Sequence, residues 1–151
     1  MATLVLPPQF SKRILYTSFT ATASVASAAY NRLPGCAICA IAVLLTSLNY
    51  WRRPIFGLRR NLDMAVCACA LSYQTWLAAV AADPVPRGVY FAITLGGGGC
   101  YALSRYFSQV QGDKNVSSAL HCCLHLAGNL GNVLLYDALG ANHCGLRRGG
   151  G

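Results

Sequence analysis

The chain has 151 residues, enough for one modest domain, and 55% of them are hydrophobic whereas only 11% are charged. A soluble domain carries about 25% charged residues, so this composition excludes an ordinary water-soluble globular protein and indicates an integral membrane protein. The net charge of +8 suits anionic lipid headgroups. Because the basic residues lie beside apolar segments and do not cover one polar domain, the sequence argues against nucleic-acid binding.

The first 34 residues form a basic segment that is rich in Ser, Thr and Ala and contains no acidic residue. Its charges are Lys12, Arg13 and Arg32. This composition is typical of an organellar targeting segment. We therefore treat residues 1–34 as a separate N-terminal segment and predict an amphipathic helix over residues 14–30.

Four apolar segments follow, each close to the ~20 residues that cross a bilayer. They cover residues 35–51, 62–82, 88–107 and 116–136. Short connections between consecutive helices favour antiparallel neighbours. The predicted fold class is therefore all-α: a polytopic membrane protein with about four transmembrane helices in an antiparallel bundle over residues 35–137. We expect residues 138–151 to be a flexible C-terminal tail.

A polar stripe interrupts the fourth apolar segment, in the run "HCCLHLAGNLGN". On a helix, residues three or four positions apart share a face, which places His121, His125, Asn129 and Asn132 together. Polar side chains inside a membrane turn toward protein or water, because lipid cannot satisfy them. Antiparallel topology brings Asp63 to the same side, so we predict that these five residues form a polar helix-packing face.

Four consecutive glycines at residues 96–99 lie in the middle of the third apolar segment. Glycine lowers helix propensity, so this run is not explained by helix formation. We predict that it allows close approach of a neighbouring helix backbone.

The first connection carries four arginines, Arg52, Arg53, Arg59 and Arg60. Such a cluster next to an apolar span is typical of binding to anionic lipid headgroups, for example cardiolipin. Asp63 follows shortly afterwards, and we place it in the first turn of the second span, where a carboxylate favours the helix dipole. There we expect it to pair with one of three arginines: Arg59, Arg60 or Arg105.

His121 and His125 have the spacing that presents two imidazoles to one metal ion. Asp63, Cys67 or Cys122 could supply further ligands, but no motif completes the set. We therefore expect no metal and no cofactor, with a site formed by His121, His125 and Asp63 as the alternative.

Four residues of the chain resemble the motif of a known family. Ser47, Asp63, His121 and His125 fall in the order found in the alkaline ceramidase and progestin/adiponectin receptor superfamily of membrane hydrolases, which this pattern resembles. That family has a His four residues after the Ser, where this chain has Trp51, and it has seven spans instead of about four. The resemblance implies a zinc-dependent membrane hydrolase as an alternative function.

No complete catalytic constellation is present, so the leading expectation is a protein without catalytic activity. We expect an accessory subunit of an organellar membrane complex, such as a mitochondrial respiratory complex or ATP synthase. Its partners would be other membrane subunits and an anionic phospholipid such as cardiolipin, in the mitochondrial inner membrane or alternatively a plastid membrane. A small transporter with a proton path at Asp63 and His121 is a third interpretation, and it requires a hydrated cavity among the spans.

Overall fold

The computed structural model describes residues 5–148, and the side chains of residues 5–141. All the secondary-structure elements in this part of the chain are helical, which confirms the all-α fold class. The helices are α1 (Pro8–Ser18), α2 (Ala21–Tyr30), α3 (Pro34–Trp51), α4 (Leu58–Ala81), α5 (Pro84–Tyr106) and α6 (Lys114–Arg148), with a π-helical turn at Phe107–Gln111.

Short turns with recognisable chemistry separate the long helices. Pro34 and Pro84 begin α3 and α5, where the missing backbone N–H of proline has no cost. Gly57, with φ +131°, precedes α4, and Gly112, with φ +73°, precedes α6. Asp113 then caps α6, because its Oδ1 accepts hydrogen bonds from two backbone N–H groups of the first turn at 2.9 and 3.0 Å.

The N-terminal segment forms two helices and not the single helix predicted over residues 14–30. The break lies at residues 19 and 20, where hydroxyl side chains bond back to the main chain. Ser18 Oγ donates to Ile14 O at 2.8 Å, and Thr20 Oγ1 donates to Thr17 O at 2.6 Å. Such local bonds compete with regular helix geometry, which accounts for the break.

Both N-terminal helices pack inside the bundle, against α3 and α6. The contact face of α2 consists of Ala21, Ser24 and Ala28, whose exposed fractions are 4%, 1% and 0%. Side chains this small let helix backbones approach closely. Residues 8–30 are therefore part of the helical core, although the sequence suggested a separate segment.

Helices α5 and α6 pack against each other more extensively than any other pair. A Cβ atom at Gly97 would lie 3.5 Å from Ala127 Cβ, and one at Gly131 would lie 3.4 Å from Ile93 Cγ2. Of the four glycines in the run, Gly97 is thus the one at this close approach. Cβ atoms at the other three, residues 96, 98 and 99, would meet nothing within 4 Å.

Helix α4 packs mainly on α3 and makes few contacts with α5 or α6. Its buried side chains are small or polar: Asp63, Ala70, Gln74 and Ala78. Its large apolar side chains face outward, and Trp76 is 57% exposed. One side of α4 is therefore apolar and uncovered by the rest of the chain.

Two apolar clusters lie at opposite ends of the bundle. The first, near the start of α3 and α5, contains Ala28, Cys36, Ala78, Ala82, Tyr90, Leu135, Tyr136 and Leu139. The second, near the end of α3, contains Leu6, Ile14, Tyr50 and Trp51. The space between the two clusters holds the polar residues described below.

Among the described helices, α3 and α4 are long and apolar enough to cross a membrane, which indicates membrane association. Helices α5 and α6 correspond to the third and fourth predicted spans. They contain glycine, histidine and asparagine residues, which lower their mean hydropathy. α6 also continues to Arg148. Residues 138–148, predicted as part of a flexible tail, are therefore helical, whereas residues 149–151 lie outside the described part.

Candidate functional site

A cavity of about 430 Å³ lies between the helices. Its size falls within the range of about 300–1,000 Å³ that is usual for small-molecule sites. All five predicted polar-face residues line it: Asp63, His121, His125, Asn129 and Asn132. The structure thus brings the predicted residues together, but around a space, so that they do not form one continuous helix–helix contact. The third interpretation from the sequence required such a cavity.

Asp63 is held by α3 and not by an arginine. Ser47 Oγ donates a hydrogen bond of 2.7 Å to Asp63 Oδ1, and the Cys67 thiol lies 3.8 Å from the same oxygen. No ion pair forms among the residues with described side chains, so the predicted pairing of this carboxylate with Arg59, Arg60 or Arg105 is wrong. Because α4 begins at Leu58, Asp63 lies in the second turn and not the first.

His121 is surrounded by aromatic rings at one end of the cavity. Its ring centroid lies 5.0 Å from that of Trp51, 6.1 Å from that of Tyr101 and 5.1 Å from that of His125. The first two contacts are edge-to-face, a favoured arrangement of aromatic groups. His125 Nδ1 lies 3.4 Å from Ser18 Oγ, a long hydrogen bond to α1.

Asn129 connects α6 to α2 through both the oxygen and the nitrogen of its side-chain amide. Ser24 Oγ donates to Asn129 Oδ1 at 2.7 Å. Asn129 Nδ2 donates to Thr20 Oγ1 at 3.0 Å and to the His125 carbonyl at 2.8 Å. Ser18 and Ser24 also line the cavity, so the N-terminal helices supply part of its wall. These residues are not recognisable from the sequence, because isolated Ser and Thr side chains in an alanine-rich segment have no distinguishing pattern.

At the far end of the cavity, one polar side chain is hydrogen-bonded to a neighbouring helix and another has no hydrogen-bond partner among the described residues. Gln74 Nε2 donates to the Tyr136 hydroxyl at 2.7 Å, linking α4 to α6. Tyr90 also lines the cavity and is 2% exposed. Within the described part of the chain, its buried hydroxyl has no hydrogen-bond partner. An unpaired buried hydroxyl is costly, so Tyr90 marks a place where a bound molecule would find a polar partner.

A second, smaller cavity of about 110 Å³ adjoins the first. Asp63, Met64, Tyr101 and His121 line both cavities, so they form a neck between them. The smaller cavity is also lined by Arg60, from the first turn of α4, and by Arg105, from the last turn of α5. The main cavity therefore adjoins a region at the end of the bundle that contains two arginines.

The four arginines predicted to bind lipid headgroups lie at this same end. Arg52 and Arg53 are exposed in the turn after α3, whereas Arg59 and Arg60 are half-buried in the first turn of α4. The Arg60 guanidinium lies 5.3 Å from the centre of the Phe56 ring, a cation–π contact. Two arginines are thus displayed outward, and one faces the smaller cavity.

The residues present do not fit the zinc ion that the family resemblance implies. No group of three His, Cys, Asp or Glu side chains able to hold a metal ion occurs where side chains are described. The Asp63 carboxylate instead accepts the Ser47 hydrogen bond, and Trp51, at the position of the family's third histidine, packs against His121. We therefore derive no hydrolytic step from these residues.

Comparison with protein-family models, curated protein sequences and solved structures finds no match to this chain.

Proposed function

We propose that the chain is a four-span membrane protein in which α3, α4, α5 and α6 cross the bilayer. The support is the distribution of large apolar side chains, which cover the outside of all four helices. Exposed examples are Ile38, Leu45, Leu71, Trp76, Leu95, Leu103, Leu126 and Leu130. The polar side chains instead line the interior cavity, which is the arrangement that a lipid solvent requires.

Within that membrane, we infer a non-catalytic role as an accessory subunit of a larger organellar complex. The observation that carries this proposal is the one-sided packing of α4, whose buried residues are Asp63, Ala70, Gln74 and Ala78. The uncovered face of α4 carries large apolar side chains, among them Leu71 and Trp76, and such a face suits van der Waals packing against helices of other membrane proteins. A respiratory complex or ATP synthase of the mitochondrial inner membrane is the assembly we favour, with a plastid membrane as the alternative.

Lipid binding is the second part of the role. Arg52, Arg53, Arg59 and Arg60 form a positive edge beside an apolar span, and none makes an ion pair with a residue whose side chain is described. Each basic residue near an anionic surface contributes about 1 kcal/mol to attraction. We propose that this edge binds the phosphates of an anionic phospholipid such as cardiolipin.

The test of the assembly role is native purification in mild detergent, followed by sizing and mass spectrometry of whatever accompanies the chain. The proposal expects a large particle with other membrane proteins at fixed stoichiometry. Migration alone, or as a small homo-oligomer, in several mild detergents would contradict it. Lipid binding is tested separately on vesicles with and without cardiolipin, where Arg52→Gln together with Arg53→Gln should weaken the preference for cardiolipin.

A further inference from the structure

We propose that the central cavity binds a single-chain anionic amphiphile, such as a fatty acid or a lysophosphatidate. In this arrangement the molecule enters sideways from the bilayer between α4 and α5, and its acidic group lies near Arg60 and Arg105. This site goes beyond the accessory role, because it assigns a ligand to the interior of the chain and not to its outer surface.

The shape of the cavity fits one alkyl chain. Three helices line it over equal lengths: α4 from Asp63 to Gln74, and α5 from Tyr90 to Tyr101, with α6 from His121 to Asn132 on the third side. Eleven residues of helix span about 16 Å. With a volume of about 430 Å³, the mean cross-section is about 27 Å², which accommodates a single extended chain but not two side by side.

The cavity opens sideways because α4 and α5 barely touch. Met64, Ala68 and Leu71 on α4, and Gly98 and Tyr101 on α5, line the cavity yet are exposed. These residues therefore form a cleft in the side of the bundle. A Cβ atom at Gly98 would meet nothing within 4 Å, so the glycine leaves the cleft open instead of bringing another helix close.

The apolar cluster around Tyr136 closes one end of the bundle, and at the other end the cluster around Trp51 forms part of the wall of the smaller cavity. Apolar side chains therefore border both axial routes from water into the main cavity. A molecule that is already dissolved in the bilayer reaches the side cleft without crossing either cluster. This favours a lipid-soluble ligand over a water-soluble one.

The charge at the neck favours an acidic headgroup. Arg60 and Arg105 line the smaller cavity together with one carboxylate, that of Asp63. Neither guanidinium has an ion-pair partner among the side chains the structure describes. Asp63 is 7% exposed and accepts its hydrogen bond from Ser47 on α3. The smaller cavity therefore has an excess of positive charge available to a carboxylate or phosphate.

The walls of the cavity are compatible with an alkyl chain despite their polar residues. Asn129 and Gln74 are already hydrogen-bonded to neighbouring helices, so they need no partner from the ligand. Asn132 also lines the cavity but has no hydrogen bond to a described residue, so its amide needs a water molecule beside the alkyl chain. Ala40, Val43 and Leu124 supply apolar surface. The unpaired Tyr90 hydroxyl lies at the far end, where it would contact a polar group or a water molecule beyond the chain terminus.

The test uses the purified full-length chain in nanodiscs of neutral lipid and a photoreactive fatty acid with a diazirine in its chain. We expect saturable labelling that unlabelled fatty acid competes away, with cross-links on Val43 or Leu124 inside the cavity. A matched lysophosphatidate and a matched neutral monoacylglycerol identify the headgroup. Competition by both acids but not by the neutral lipid supports the proposal, and equal competition by all three contradicts the role of the arginines.

Two glycines of one helix provide a matched pair of variants. Gly98→Leu should fill the cleft and lower specific labelling by about tenfold or more. Gly99→Leu makes the same change one residue along, at a position that does not line the cavity and has nothing within 4 Å, so labelling should persist. Equal labelling of both variants would overturn the proposal.

The arginines are tested in the same assay. Arg105→Gln should weaken binding of the acidic ligand by about tenfold and leave binding of the neutral lipid unchanged. Arg87→Gln is the control, because Arg87 lies at the other end of α5 and outside both cavities, so it should leave binding of both ligands unchanged. Cross-links confined to the outer surface of the bundle, or a cavity that holds only water, would contradict the proposed ligand site. Because the assay needs no partner protein, its failure would be distinct from failure of the accessory role.

Discussion

Ser47 donates a hydrogen bond of 2.7 Å to the carboxylate of Asp63, and both side chains are buried. This contact joins the end of α3 to the second turn of α4. It matters because α4 packs mainly on α3 and makes few contacts with the other helices. The hydrogen bond to the same oxygen from the Cys67 thiol is long, at 3.8 Å, so loss of the Ser47 hydroxyl leaves the buried carboxylate poorly satisfied. Ser47 therefore both positions α4 and stabilises Asp63.

Replacement of this hydroxyl should therefore destabilise the bundle. Ser47→Ala is expected to lower the free energy of unfolding by about 1–3 kcal/mol, measured by denaturation in mixed detergent micelles. Ser72→Ala is the matched control, because Ser72 is exposed on α4 and has no hydrogen bond to the described part of the chain. Equal stability of the two variants would contradict the importance of the Ser47–Asp63 contact.

The polar face of α6 offers a second pair of variants. Asn129→Ala removes hydrogen bonds to Ser24 and Thr20, so it should increase hydrogen exchange in α2 relative to the rest of the bundle. Interhelical bonds of this kind in membranes are worth about 0.6 kcal/mol on average and up to about 2, so the expected destabilisation is modest. Hydrogen exchange resolved to peptides measures it.

Asn132→Ala is the control for this change. Asn132 lines the same cavity, but its side chain makes no hydrogen bond to a residue that the structure describes. It should leave exchange in α2 unchanged. If both alanine variants loosened α2 to the same extent, the docking of α2 would depend on the cavity wall in general and not on Asn129.

A close approach between α2 and α6 leads to a further prediction. A Cβ atom at Gly140 would collide with the Asn31 side chain. That side chain is held in place, because Asn31 Nδ2 donates to Asp137 Oδ1 at 2.7 Å. Gly140→Ala should therefore lower the free energy of unfolding by about 1–3 kcal/mol, as overpacking does.

Gly96→Ala serves as the control for helix propensity. A Cβ atom there would meet nothing within 4 Å, so this variant should be neutral or stabilised by up to about 1 kcal/mol. Denaturation of both variants under one set of conditions compares them. A stabilised Gly140→Ala variant would show that Asn31 moves aside without cost.

The three- and four-residue spacing of a helix places His121, His125, Asn129 and Asn132 on one face of α6, and in the structure all four line the cavity. The partners of that face were not predictable in the same way. Ser18, Thr20 and Ser24 lie in a segment whose composition is typical of a targeting sequence. Their packing depends on how α1 and α2 fold back onto α6, which is a tertiary property that local sequence does not encode.

The surroundings of Asp63 illustrate a second limit. The sequence placed Asp63 beside several arginines, and an ion pair was the natural expectation. In the structure α4 begins at Leu58, so Arg59 and Arg60 lie in the first turn and Asp63 lies in the second, where it contacts Ser47 on α3. Arg59 and Arg60 are four and three positions before Asp63, a spacing that permits pairing on a helix, so the partner of Asp63 is decided by how α4 packs on α3 and not by local sequence.

The central claim is that polar groups face the interior of the bundle while the apolar sides of its helices face outward, where lipid covers them when no partner protein is present. Trp76 and Trp51 test it most directly, because they are the 2 tryptophans of the chain and are 57% and 8% exposed. Trp51→Phe leaves Trp76 as the fluorophore, and Trp76→Phe leaves Trp51.

The measurement is fluorescence quenching of the two variants in nanodiscs, by lipids with brominated acyl chains and by aqueous iodide. The account predicts that brominated lipid quenches Trp76 strongly, that iodide does not, and that Trp51 is much less sensitive to either quencher. Strong quenching of Trp76 by iodide, with no effect of brominated lipid, would place the outer face of α4 in water and contradict the account.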